Sequence, residues 1–222
     1  MPPYSGDFTF SENVSNFNVS PAKLLASMPG VGNLLAGTLI FRSAEGSQAG
    51  ESDGTRDHEV LLIRRSPTDT FPLKWETPVG TADPDDTSIL GVAARELWEE
   101  AGLQAGVVKD SVGLQLPDGQ MELPLVNGTA TARKIPGSDL FVLRFADDDE
   151  WAAAFFVVEL RDPGAKVVLQ PAEHVDYAWV TEDEVRDERR AEGGESLDFA
   201  SEAMKNVLLH GFEKRRNMLG SS

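Results

Sequence analysis

Residues 95–103 read Arg95-Glu96-Leu97-Trp98-Glu99-Glu100-Ala101-Gly102-Leu103, and the spacing of acidic and apolar residues in this stretch decides the fold. At about 100° per residue, Leu90, Ala93, Ala94, Leu97 and Ala101 form one apolar stripe of a helix running from Ser88 to Ala101. Glu96, Glu99 and Glu100 share a separate face, and Gly102 stands where a helix-terminating glycine belongs. Like charges at i, i+3 and i+4 repel by a few tenths of a kcal/mol per pair when exposed, and by more when partly buried. A cation relieves that repulsion. Carboxylate oxygens are hard ligands suited to Mg²⁺ or Mn²⁺. The residues alone leave a plainer reading open, in which the three glutamates are the solvated face of an amphipathic helix.

Outward from the helix, Trp75-Glu76-Thr77-Pro78-Val79-Gly80 reads as a strand passing into a loop, and Asp83-Pro84-Asp85-Asp86 as an acidic turn. Asp86 is an N-cap candidate for the helix as much as a metal ligand. Strands are predicted at Leu34–Phe41, Val60–Ile63, Leu140–Phe145, Ala154–Leu160, Val167–Leu169 and Tyr177–Val180. Ser43–Asp57 is a Gly, Ser and acid loop, and Asp147–Glu150 a turn. The first 20 residues carry isolated Phe8, Phe10 and Phe17 and read as an arm laid over the domain. Ser20-Pro21 opens a short helix through Leu24 and Leu25 that Pro29-Gly30 stops. Leu197–Arg216 places Ala200, Met204, Val207, Leu208 and Phe212 at helical spacing, an amphipathic helix against a sheet. Strands and helices mixed without regular βαβ alternation imply an α/β protein of the α+β kind, an α/β/α sandwich on a mixed β-sheet.

The chain has 222 residues, 41% of them hydrophobic, which suits one core. Residues 1–33 form the arm and short helix, and 34–222 a single domain including the carboxy-terminal helix. Against 20 Lys and Arg stand 37 Asp and Glu, a net charge of −17 that argues against gripping a nucleic-acid polymer or an anionic membrane. With no cysteine, thiolate metal sites and thiol nucleophiles are excluded, leaving oxygen ligands. Neither a signal peptide nor an apolar run long enough to span a membrane is present, so a cytoplasmic or nucleocytoplasmic location is expected.

Gly80–Leu103 resembles the signature of Nudix hydrolases, G-x5-E-x7-R-E-U-x-E-E-x-G-U with U aliphatic. From Arg95 to Leu103 every defined position is filled. The flanks are similar too: Leu61-Leu62 with Arg64 and Arg65, Trp75-Glu76 with Pro78, and Glu173-His174-Val175-Asp176-Tyr177-Ala178-Trp179-Val180. The early half departs from the pattern. Asp86 stands where the family has Glu, eight residues instead of seven separate it from Arg95, and Val79 replaces the first glycine of the usual Pro-Gly-Gly. This variant resembles fungal-type Nudix sequences, in which an Asp leads through an Ile/Leu-Leu pair into the Arg-Glu-Leu core.

The resemblance implies a Nudix-type sandwich and a pyrophosphohydrolase that uses Mg²⁺ or Mn²⁺ to cleave a diphosphate linkage in a nucleoside-diphosphate-linked or other small organic diphosphate. It implies metal ligands at Glu96, Glu99, Glu100 and the Gly80 carbonyl, an orienting role for Arg95, and a general base at Glu96 or Glu173. Arg64, Arg65 and Lys74 are candidate phosphate contacts, and Arg133 and Lys134 weaker ones. His174, a lone loop histidine, is expected to face solvent. Trp98, Trp179 and Tyr177 are expected to pack, not to stack on a base. Family members are often homodimers. Two other readings stay open: a Nudix-fold binding or regulatory domain without turnover, and an acidic interaction domain with an accidental glutamate cluster.

Overall fold

The computed structural model describes residues 3–43, 58–124, 130–145 and 149–220. Its strands are β1 (Thr9–Phe10), β2 (Val31–Ser43), β3 (His58–Arg65), β4 (Trp75–Glu76), β5 (Val79–Thr81), β6 (Ala105–Val112), β7 (Glu122–Pro124), β8 (Thr131–Lys134), β9 (Phe141–Arg144), β10 (Glu150–Leu160) and β11 (His174–Thr181). The helices are α1 (Pro21–Ala26), α2 (Ile89–Ala101), α3 (Glu182–Asp187) and α4 (Glu202–Gly220). The main path through the sheet is β11-β3-β2-β10-β9-β8-β7, with β4 on β3, β5 on β2, and β6 between β10 and β1.

Alternation along the two central strands builds the layers. β2 and β10 run parallel, with Leu34 opposite Ala152 and Ile40 opposite Val158. Leu34, Ala36 and Ile40 of β2 and Ala154, Phe156 and Val158 of β10 share one core with Leu90, Ala93, Leu97 and Ala101 of α2. The intervening Leu39, Phe155 and Val157 point the other way, into a second core with Val207, Leu208 and Phe212 of α4. Helices therefore cover both faces of a mixed sheet, the expected α/β/α sandwich. Each large apolar side chain so buried contributes about 1.5–3 kcal/mol, and a slip of one residue would turn every one of them to the wrong layer. Gly211 lets α4 sit close, since a β-carbon there would fall 2.2 Å from Leu39 Cδ2.

The arm joins the sheet through β1, paired parallel with β6. Val14 and Phe17 of a 3-10 turn at Glu12–Phe17 are buried, and the Phe17 ring meets Phe156 edge-on at 5.1 Å. Phe10 stays exposed. In α1, Ser20 Oγ accepts from the Lys23 N–H at 3.3 Å, the cap its sequence called for.

Four expectations are corrected or bounded. Val167–Leu169 is not a strand: the Val168 N–H donates to Ala101 O (2.9 Å) and the Gln170 N–H to Glu100 O (3.3 Å). The segment thus satisfies carbonyls that the end of α2 leaves without helical partners. β10 begins at Glu150, in the segment read as a turn, because Glu150 pairs with Arg144 of β9. α4 begins at Glu202 and not at Leu197. The preceding residues run along β4, with the Trp75 N–H donating to Asp198 O (2.8 Å) and the Ala200 N–H to Trp75 O (2.9 Å). Most of the predicted loop at 43–57 lies outside the described residues. Among the described residues no helix is long and apolar enough to cross a membrane.

Candidate active site

The helix that carries the glutamates is fixed at both ends. Ser88 Oγ accepts from the Gly91 N–H at 3.0 Å as N-cap, and Gly102 closes the helix with φ 67° and its N–H on Trp98 O. Asp86 is therefore not the cap. Its carboxylate accepts from Arg95 Nε (3.2 Å), Arg95 Nη2 (2.9 Å) and the Asp83 N–H (2.7 Å), closing the acidic turn onto the helix.

With the apolar stripe of α2 in the core, Glu96 and Glu100 face the β5 turn and are nearly buried, at 7% and 6% exposure. The Glu99 side chain is 41% exposed at the rim. Glu96 lies against the Gly80 backbone: a β-carbon on Gly80 would come within 2.2 Å of Glu96 Cδ. The Val79 N–H donates to Glu100 Oε2 at 2.8 Å, tying the turn to the end of the helix. Arg95 Nη1 reaches both Glu96 Oε1 and Glu99 Oε2 at 2.7 Å, and Nη2 also donates to Thr81 O at 3.0 Å. One guanidinium thus holds Asp86, Glu96 and Glu99 in a common frame.

Burial pushes the Glu96 carboxyl up to about 7; Arg95 opposes the shift, and the charges of Glu99 and Asp86 add to it. The Glu100 carboxyl is held well above its ordinary range by burial and then by the charges of Glu76 and Glu96, against the Val79 N–H. Buried carboxylates that repel one another beside a close backbone turn fit a hard divalent cation. Carboxylate oxygens are the donors that Mg²⁺ or Mn²⁺ takes, but Glu96, Glu99 and Glu100 do not as a trio bring one oxygen each to within 4.8 Å of one another.

Behind the box lies a group that sequence reasoning did not assemble. His174 is not solvent-facing but 2% exposed, because β11 starts at this residue opposite Arg65 of β3 and turns the ring inward. Its Nε2 lies 3.5 Å from Glu76 Oε1 and 3.7 Å from Glu100 Oε1. Glu76, 3% exposed, accepts from Arg65 Nη1 at 2.6 Å. A signal existed. His174 shares the parity of buried Ala178 and Val180, but an irregularity in the ladder between His174 and Asp176 leaves Asp176 exposed and interrupts the alternation.

The other candidates are dispersed. Glu173 is exposed, although its charge reaches Glu100. Arg64 pairs with Glu195 at 3.0 Å and lies over the Trp75 ring, and Lys74 pairs with Asp198 at 2.6 Å. Of the three basic candidates before the box, Arg65 lines a cavity of about 750 Å³, together with Glu76, Val79, Leu35, Phe141, Phe155 and Met204. The Phe141 and Phe155 rings stack within it, 5.9 Å apart and 6° from parallel. Trp98 packs near Tyr4, at 5.4 Å between rings, and Trp179 lies under the Arg42 guanidinium, while Tyr177 is exposed.

The site is thus a loop–helix–loop with partly buried carboxylates at a glycine turn, set on a mixed sheet beside a cavity. The NUDIX domain model matches residues 53–198, and the chain belongs to the Nudix family. Membership supports, in general terms, a hydrolase acting on pyrophosphate bonds. Among solved structures, the chain is similar to a MutT protein from Methanosarcina mazei Go1 (22% identity, 86% of this chain and 96% of that one, TM-score 0.47). It is similar to a C. elegans Ap4A hydrolase (17%, 86% and 100%, TM-score 0.46) and to the NUDIX domain of Shewanella oneidensis NrtR complexed with ADP ribose (17%, 90% and 99%, TM-score 0.45). No curated protein matches the chain.

Proposed function

We propose that the protein hydrolyses a diphosphate linkage in a small organic molecule in a reaction that requires Mg²⁺ or Mn²⁺. The observation that carries this reading is the pair of nearly buried carboxylates, Glu96 and Glu100, held against the Gly80 and Val79 backbone. Glu96, Glu99, Glu100 and the Gly80 carbonyl would hold the cation, which when bound neutralises the diphosphate and makes a bound water more acidic. Arg95 keeps Glu96 and Glu99 in orientation. In the hydrolysis, water oxygen forms a bond to one phosphorus while the bridging oxygen leaves with the other phosphoryl group. The water's proton passes to a carboxylate, Glu96 or Glu173. The organic part of the substrate occupies the cavity lined by Leu35, Phe141 and Phe155.

The test is incubation with Mg²⁺ or Mn²⁺ and a panel of organic diphosphates, beside Glu100→Gln. Metal-dependent release of phosphate-bearing products by the wild type alone is the expected result. A silent panel, with a diphosphate still raising the melting temperature, would replace this reading with a binding domain that lacks turnover.

A further inference from the structure

Glu76, Glu100 and His174 bring one donor atom each to within 4.8 Å of one another, and all three residues are buried. Neither ring nitrogen of His174 makes a hydrogen bond, although the side chain is 1% exposed. Leaving a buried polar atom without a partner costs about 1–3 kcal/mol, and here Nε2 is aimed between two carboxylates. We propose that these three residues form a second cation site, set behind the box and selective for a borderline transition-metal dication, Zn²⁺ or Co²⁺, over Mg²⁺.

Chemistry and spacing both point away from magnesium. Imidazole nitrogen suits Zn²⁺ and Co²⁺, whereas Mg²⁺ takes oxygen donors in near-ideal octahedra. Donors about 2.1 Å from a common ion stand roughly 3.4 Å apart in a tetrahedron and roughly 3.0 Å apart at adjacent octahedral corners. The His174 Nε2 separations of 3.5 and 3.7 Å match the tetrahedral edge more closely. Three protein donors leave a fourth position open, and Glu76 is one of the residues that line the cavity. Arg65 already takes Glu76 Oε1, and its positive charge leaves the two carboxylates and a neutral imidazole with a net charge of about −1. A dication reverses that sign, which limits affinity and makes the nitrogen donor decisive.

Glu100 is the one residue shared with the box, so the test reads binding and not turnover. The metal-free full chain is titrated with ZnCl₂ and separately with MgCl₂ by calorimetry, and the ring resonances of its three histidines, His58, His174 and His210, are followed by proton NMR. One equivalent of Zn²⁺ is expected to shift the His174 ring signal, assigned by its absence in His174→Gln, and to leave the other two in place. Mg²⁺ at the same concentration leaves all three unmoved. His174→Gln is expected to lower Zn²⁺ affinity at least about tenfold while Mg²⁺ affinity stays within about twofold. If that variant does not fold, Glu76→Gln replaces it, with the same expectation for Zn²⁺, and the wild-type NMR titration stands without either. A His174 signal unmoved by Zn²⁺, or Zn²⁺ binding of unchanged affinity in a folded variant, overturns the site. Hydrolysis failing while His174 still binds Zn²⁺ would remove the proposed reaction and keep the site.

Discussion

The Glu96 carboxylate occupies the space that a side chain on Gly80 would need, with Glu96 Cδ 2.2 Å from an ideal β-carbon. Gly80→Ala must therefore push Glu96 from its place or bend the β5 turn. Misplacing a reacting group by about 1 Å can cost around 10²-fold, and a fall of that order in diphosphate hydrolysis is expected. Steady-state kinetics at saturating Mg²⁺ checks it; unchanged activity would show that Glu96 is free to reposition.

Glu100→Gln is expected to separate stability from activity. The amide keeps an oxygen for the Val79 N–H and removes a charge repelled by Glu76 and Glu96, so the metal-free variant should melt higher than the wild type at pH 8. Turnover should fall by roughly 10²–10³-fold, the loss of several kcal/mol of metal-assisted catalysis. Calorimetry and a phosphate-release assay on the same preparation check the pair.

The stability of the metal-free protein should fall as pH rises from about 4.5 to about 7. The Glu96 carboxyl is raised from 4.5 to about 7 in the fold, so across that window the folded state binds more protons than the unfolded one. The loss is on the order of 3 kcal/mol, present above the window and absent below it. Melting curves of wild type and Glu96→Gln at pH 5 and pH 8 test this: the pH effect should shrink in the variant, and Mg²⁺ should raise the wild-type melting temperature more at pH 8.

Arg95→Lys keeps the charge and loses the fork. No ammonium can serve Asp86 through two nitrogens while also reaching Glu96, Glu99 and Thr81 O, as Arg95 does. Activity is expected to drop about 10- to 100-fold, the range for residues that orient ligands. An increase in the Mg²⁺ concentration needed for half-maximal rate would show that orientation is what was lost.

Gly211→Ala should act on stability alone. The added methyl meets Leu39 Cδ2 at 2.2 Å, and overpacking of this kind costs about 1–3 kcal/mol. Denaturant unfolding should show the loss, with kcat of the folded fraction unchanged.

The sequence was most readable where one period ran undisturbed. The stripe through Leu90, Ala93, Leu97 and Ala101 placed α2 within a residue of its observed start, and the apolar run Leu34–Phe41 located the central strand. It was least readable where tertiary pairing overrode local pattern. The extended segment at Val168 looks like any short strand, and the hydrogen bond to Ala101 that keeps it off the sheet is invisible in sequence. Asp86 had the chemistry of an N-cap, yet Ser88 takes that place and Arg95 claims the carboxylate. For the site, the glutamates on a single helix were legible because one period relates them. The meeting of Glu76, Glu100 and His174 was not, because it depends on β4 and β11 both pairing with β3 and on α2 packing against β5.

The parallel pairing of β2 with β10 also governs the order in which the protein can be made. During synthesis β2, β3 and α2 leave the ribosome before β10 and α4, so the middle of the sheet waits with one edge of β2 open and its Leu39, on the face that α4 covers, still bare. An apolar strand with unpaired backbone is a template for aggregation. The nascent chain is thus exposed until β10 emerges, and chaperone supply or slower synthesis at lower temperature is expected to raise the soluble yield.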